Sequence, residues 1–247
     1  MTQCVADGLS ILETRVSVFE SYDDAVQLIR ERILSRQPTF CVAINPEKVY
    51  RAKHDQRLRQ VLDSAHVRIC DGAGISLAAM LLYRKRLPRC TGIDLFLRLV
   101  DLSAKEGWKV FLLGASPQSN DAACRALVAS FPGLRIVGRQ HGYFEDSAAV
   151  VKSINESGAD LLFVAMGSPR QEFWISEQMP HLRTIFCMGV GGSLDVLSGA
   201  VKRAPAFFRR TGTEWFFRLL LRPSRVGREA AHLMFALELL RAMRCRQ

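Results

Sequence analysis

The sequence has no Asp-x-Asp, no CxxC pair and no apolar run approaching the ~20 residues that span a bilayer. Each absence excludes something. Many nucleotide-sugar transferases hold a divalent metal with an Asp-x-Asp at the donor diphosphate, so here no metal is expected, and arginines and helix starts would have to stabilise a departing diphosphate. The cysteines, seven in all, are odd in number and several lie inside strand-like apolar runs, as small hydrophobes do. They suggest a reducing cytoplasm rather than a disulfide framework or a zinc site. No basic segment followed by an apolar core opens the chain, so no signal peptide is expected. A dinucleotide oxidoreductase would want GxGxxG after its first strand with an acid about 20 residues on, and that pattern is missing.

What is present is an ordinary globular balance, 49% hydrophobic and 23% charged, in 247 residues. That suffices for one large domain with an appendage. The net charge is +10, which suits anionic partners. Eight of the ten surplus charges fall between Val201 and Gln247, and the first 200 residues are close to neutral. The expected division is therefore a catalytic domain over 1–200 and a basic helical appendage over 201–247.

Short β-rich runs alternate with amphipathic stretches. Strands are expected at Thr39–Ile44, Val67–Cys70, Lys109–Leu113, Leu134–Val137, Asp160–Met166 and Thr184–Met188, with helices including Gly92–Glu106, Pro117–Phe131 and Ser147–Ser157. This reads as an α/β fold with a largely parallel sheet and helices on its faces. Beyond Pro205 two helices are expected, about Ala206–Leu221 and Ser224–Met243, broken by Arg222–Pro223. They carry Trp215, Phe216, Phe217 and a Leu233–Leu240 stripe among arginines. Apolar and basic together fit an interfacial helix on an anionic membrane. The alternatives are packing on the core or pairing of two copies into a homo-oligomer. Nucleic-acid binding would explain the charge but would not require the bulky apolar side chains.

In open α/β sheets ligands sit beyond the carboxyl ends of the strands. Asp71, after Val67–Cys70 and before Gly72, is placed either to take a proton from a substrate hydroxyl or to cap a helix. The loop Gly189, Val190, Gly191, Gly192, Ser193 opens a helix and either cradles phosphate or makes a tight turn. Asp195 just inside it could pair with a ribose or base, or favour the helix dipole. In Gly167–Ser168–Pro169–Arg170–Gln171–Glu172, Gln171 could bind sugar hydroxyls and Arg170 phosphate, or the run is an exposed helix start. Tyr143 could stack on a base or belong to the core.

Taken together these loops resemble the WecG/TagA/CpsF glycosyltransferases from about Leu9 to Arg228. The resemblance is carried by Val42–Lys48 (VAINPEK), Cys70–Gly72, Arg89–Asp94 (RCTGID), Phe111–Gly114, His141–Phe144 (HGYF), Ala165–Glu172 (AMGSPRQE), Met188–Gly192, Val201–Pro205 (VKRAP) and Glu214–Leu220 with Pro223–Arg225. It implies a Rossmann-like core with a C-terminal membrane-targeting appendage. It implies an inverting, metal-independent enzyme, without cofactor, that moves a sugar from a UDP-sugar to an undecaprenyl-diphosphate-linked sugar acceptor at the cytoplasmic face of the bacterial inner membrane. On that pattern Asp71 matches a general base. Asn45, Arg89 and Gln171 match the sugar and phosphate pocket. Tyr143 and Asp195 match uridine-binding positions, and Arg218, Arg225 and Arg228 match appendage arginines that meet the diphosphate. Ala43 stands where many members carry Thr. Its Ala-Ile-Asn run resembles the branch that transfers N-acetylmannosaminuronic acid to a GlcNAc acceptor in enterobacterial common antigen. N-acetylmannosamine and glucose are the other donors the resemblance allows.

Overall fold

The computed structural model describes residues 8–205, 207, 208, 217 and 226–244. Six strands form one sheet in which every pairing is parallel: β3 (Thr39–Ile44), β4 (Val67–Cys70), β5 (Lys109–Gly114), β6 (Arg135–Gln140), β7 (Leu161–Ala165) and β8 (Phe186–Gly189), in the order β4-β3-β8-β7-β5-β6. The expected strands are all there, Thr39–Ile44 and Val67–Cys70 with the same ends and the other four with ends shifted by one to three residues. An antiparallel hairpin, β1 (Gly8–Ile11) and β2 (Thr14–Ser17), precedes them. Four residues per strand carry too weak an alternation to stand out in the sequence.

The central strands are buried on both faces, and their period of two divides the interior into two cores. Phe40, Val42, Ile44, Phe111, Leu113, Leu162, Val164 and Cys187 point to one. Cys41, Ala43, Val110, Leu112, Leu161, Phe163, Phe186 and Met188 point to the other. The first core is closed by α2 (Pro46–His54), α3 (Gln56–Ser64), α4 (Ala73–Tyr83), α7 (Ser147–Ser157) and α8 (Arg170–Gln178). The second is closed by α1 (Tyr22–Leu34), α5 (Gly92–Glu106), α6 (Pro117–Ser130) and the short α9 (Ser193–Leu197). The helices start where their caps dictate: Ser21, Asn45, Asp55, Thr91, Ser116 and Asp146 each accept a hydrogen bond from a first-turn N–H.

The last described helix, α10 (Val226–Arg244), lies close to the expected Ser224–Met243. It packs on α2 and α4, burying Ala231, Phe235 and Leu239, and its Phe235 and Leu239 join the first core. Packing on the core was one of the alternatives read from the sequence. The expected helix Ala206–Leu221 lies largely outside the described residues. Among the described residues no helix is long and apolar enough to cross a membrane.

Phe163 sits at the centre of the second core, edge-on to Phe96 at 4.6 Å and to Phe186 at 6.2 Å, with no exposed surface. Phe163→Ala removes both ring contacts and leaves a cavity. It should lower the unfolding free energy by about 3–5 kcal/mol, read as a fall in urea midpoint at unchanged slope.

Candidate active site

The carboxyl ends of β3, β4 and β8 open on a cavity of about 510 Å³. Asn45, Asp71, Arg89, Gln171, Gly189, Gly191 and Gly192 all line it. Residues expected separately in five segments thus meet in one place. Its outer wall comes from α10, through His232, Leu233, Phe235, Ala236 and Leu239.

Asp71 leaves β4 with its N–H bonded to the Ile44 carbonyl at 2.8 Å, so its position is tied to the end of β3. It is not the cap of α4. Gly72 takes that position at φ +96° without a side-chain bond, and Asp71 lines the cavity. A Cβ on Gly92, in the first turn of α5, would stand 3.9 Å from Oδ2 of Asp71 and 3.3 Å from the Ala43 methyl. The tight approach is to the Ala43 methyl, and the distance to the carboxylate is an ordinary contact. Asn45 caps α2 by accepting from the Lys48 N–H at 2.9 Å. Its carbonyl is engaged there, and the Nδ2 hydrogens are what it can offer a ligand. Burial pushes the Cys70 thiol up to about 12, with the Asp71 charge adding to the shift and Arg89 opposing it. It stays a neutral thiol beside the site, not a nucleophile.

Behind these residues lies a buried ion pair that the sequence did not disclose. Lys48 and Glu172 have side chains only 5% and 1% exposed, with Nζ and Oε1 2.9 Å apart. Lys48 Nζ also donates to the Ala43 carbonyl at 2.7 Å. Gln171 Nε2 donates to Glu172 Oε1 at 2.8 Å, which orients the amide so that its Oε1 accepts the Gly191 N–H at 3.0 Å. A Cβ on Gly189 would come within 2.5 Å of the Gln171 amide. The run Gly167–Glu172 is therefore not an exposed helix start: Gln171 and Glu172 are buried. A sequence signal existed in retrospect. Lys48 falls in the first turn of α2, where the helix dipole disfavours a cation, and such a residue calls for a carboxylate partner. Burial alone would raise the Glu172 carboxyl. The Lys48 charge and the hydrogen bonds from Gln171 and Lys48 outweigh it and hold the group below its ordinary 4.5.

The glycine loop behaves as a tight turn. Its Gly191 N–H is bonded to Gln171, and the Ser193 N–H to Val190 O at 3.1 Å. The helix it opens, α9, is five residues long. These two donors are occupied within the protein, as the tight-turn alternative expects.

Four expected residues do not line this cavity. Arg170 donates from Nη2 to the Gly142 carbonyl at 3.1 Å, bracing the turn that carries Tyr143, which is 71% exposed. Gly167, at φ +77°, turns the chain from β7 into α8. Asp195 sits in the first turn of α9, its Oδ2 4.0 Å from where a Cβ on Gly192 would stand. Arg170 and Tyr143 follow β7 and β6, on the other half of the sheet's carboxyl edge. Arg218 and Arg225 lie outside the described residues. Arg228 falls on α10, its side chain outside the described residues. Arg203, in the Val201–Pro205 run, pairs with Asp94, which also accepts from the Thr91 hydroxyl at 2.5 Å. That contact anchors the chain beyond α9 to the start of α5.

A parallel α/β sheet whose strand ends gather an aspartate, an arginine and two amides around one cavity defines an enzyme that binds a polar substrate. The sequence places it within one group: the chain belongs to the glycosyl transferase WecG/TagA/CpsF family, whose model matches residues 9–247. The protein is thus a glycosyltransferase. It is similar to the N-acetylglucosaminyldiphosphoundecaprenol N-acetyl-beta-D-mannosaminyltransferase of Bacillus spizizenii, with 34% identity over 217 residues, 88% of this chain and 82% of that protein.

Glu172→Gln leaves the Lys48 ammonium buried without its counter-charge and should cost about 3–5 kcal/mol. Adding Lys48→Met should recover most of that loss. Because the folded-state pKa of Glu172 is depressed, the pair's contribution is complete above pH 4.5 and is lost as pH falls through the lower folded value. Urea titrations of the three proteins between pH 3 and 7 check both statements. A double variant as unstable as the single one would contradict them.

Proposed function

We propose that the protein transfers an N-acetylmannosamine-type sugar from a UDP donor to an undecaprenyl-diphosphate-linked GlcNAc, with inversion at the anomeric carbon. The observation that carries this reading is the convergence of Asp71, Asn45, Arg89 and Gln171 on one cavity. The printed activity of the Bacillus relative supports the acceptor and the sugar class. Asp71 takes the proton of the acceptor hydroxyl as its oxygen attacks the anomeric carbon. The bond from that carbon to the UDP oxygen breaks, and UDP leaves with the electron pair from the opposite face, so one displacement inverts the centre. Asn45, through Nδ2, and Arg89 meet sugar and phosphate oxygens. Gln171 shapes the pocket from beneath the glycine loop. Tyr143 and Asp195 hold the uridine, Gly167, Arg170, Gly189, Gly191 and Gly192 bind the rest of the UDP-sugar, and Arg218, Arg225 and Arg228 meet the diphosphate.

The catalytic domain over 1–200 and the basic region over 201–247 divide the work. The second brings the enzyme to the cytoplasmic face of the inner membrane, where a lipid-linked acceptor resides. Its content of arginine with Leu233, Leu237 and Leu240, all exposed on α10, supports this.

Asp71→Asn should reduce turnover at least 100-fold while UDP-sugar affinity, measured by calorimetry, stays within threefold of wild type. Near-normal turnover would remove Asp71 from the base role. Among UDP-N-acetylmannosamine, UDP-N-acetylmannosaminuronic acid and UDP-glucose, one of the two mannosamine-type donors should give the highest kcat/KM with a diphospho-GlcNAc lipid. A preference for UDP-glucose would overturn the sugar assignment.

A further inference from the structure

Helix α4 is buried on one side through Ile75, Ala78 and Ala79. Its other side carries Leu77, Met80 and Leu81, which are 56%, 41% and 44% exposed. Their i, i+3, i+4 spacing makes them a single stripe, and no residue from Ala73 to Tyr83 is charged. A helix on a water-facing surface ordinarily presents polar side chains there. Immediately after α4 come Arg84, Lys85 and Arg86, all exposed.

The stripe is not remote from the chemistry. Leu77 lines the cavity, and so does Leu233 of α10, itself 65% exposed. Phe235 of α10 reaches α4 at Gly74, where an added Cβ would stand 3.8 Å from its ring. The two helices therefore meet at the cavity mouth. From there their exposed apolar residues continue outward, through Met80 and Leu81 on one and Leu237 and Leu240 on the other.

We propose that the α4 stripe with its basic turn at 84–86 is a bilayer-docking surface of the catalytic core itself. It lies apart in the sequence from the C-terminal region and sets the cavity mouth at the level of anionic headgroups. Large apolar side chains beside a cation cluster, on an element too short to span, are what an interfacial helix presents. The occupant is an anionic membrane rather than a second copy, because two copies meeting here would set the exposed Arg84, Lys85 and Arg86 beside the same three cations. This deepens the lipid-acceptor reading and rests on it for the choice of a membrane.

The test uses the full chain. One variant carries Arg84→Gln, Lys85→Gln and Arg86→Gln, and a second carries Met80→Gln and Leu81→Gln; none of these residues lines the cavity. Partitioning is measured on vesicles of phosphatidylglycerol and phosphatidylcholine, and on phosphatidylcholine alone. Turnover is measured without vesicles on a water-soluble, short-chain diphospho-GlcNAc acceptor. Each variant should partition about tenfold less onto the anionic vesicles, while melting temperature and soluble-acceptor turnover match wild type. Partitioning equal to wild type in both folded variants would overturn the proposal. So would unchanged partitioning together with a shift in sedimentation equilibrium, which would make the surface a contact between copies. Failure of the acceptor reading shows elsewhere, as absent turnover by wild type on the soluble acceptor.

Discussion

The site depends on one buried pair of charges. Lys48 and Glu172 come from helices that follow β3 and β7, and they meet beneath the cavity floor. Neither charge could remain there alone, because an ion removed from water without a partner is strongly unfavourable. The folded chain must therefore bring α2 and α8 together in one register. Once it does, the rest follows through shared atoms. Lys48 holds the Ala43 carbonyl, Glu172 orients Gln171, and Gln171 holds Gly191. Three of the loops around the cavity are thus fixed relative to one another by a chain of hydrogen bonds with a salt bridge at its centre.

This arrangement explains the small residues at the site. Gly189 gives up a side chain to the Gln171 amide, and Gly92 gives one up to Ala43. At Gly189 a side chain would collide with the amide, and at Gly92 it would be tight against the Ala43 methyl. The cysteines fit the same pattern. Cys41, Cys70 and Cys187 are buried as compact apolar groups, with burial raising their thiols well above neutrality.

Much of the fold could be read from the sequence because parallel strands buried on both faces leave a strong mark: Thr39–Ile44 and Leu161–Ala165 are unbroken apolar runs. The hairpin at the start was not legible, since four residues per strand give no periodicity to detect. For the site, Asp71, Asn45, Arg89 and Gln171 were legible through family resemblance and through their places at strand ends. The bare residues could not decide between capping and chemistry at Asp71. The structure removes the capping alternative, since Gly72 stands at the cap of α4 without a side-chain bond. The burial of Glu172 was not legible because a charged residue in a first helical turn is ordinarily exposed, and only the distant Lys48 makes its burial tolerable. His232 and Phe235 were invisible as site residues, because nothing in a leucine-rich helix says which cavity it will wall.

That wall has a consequence for how the enzyme comes into being. The strand-end residues of the cavity are in place once the chain has been made as far as Ser193, but His232, Leu233, Phe235 and Leu239 complete its side. A nascent chain that has not yet emerged past α10 carries Asp71 in a trough rather than a chamber. Synthesis and the closing of the cavity are therefore ordered in time: α10 leaves the ribosome after the strands and loops that supply the other walls.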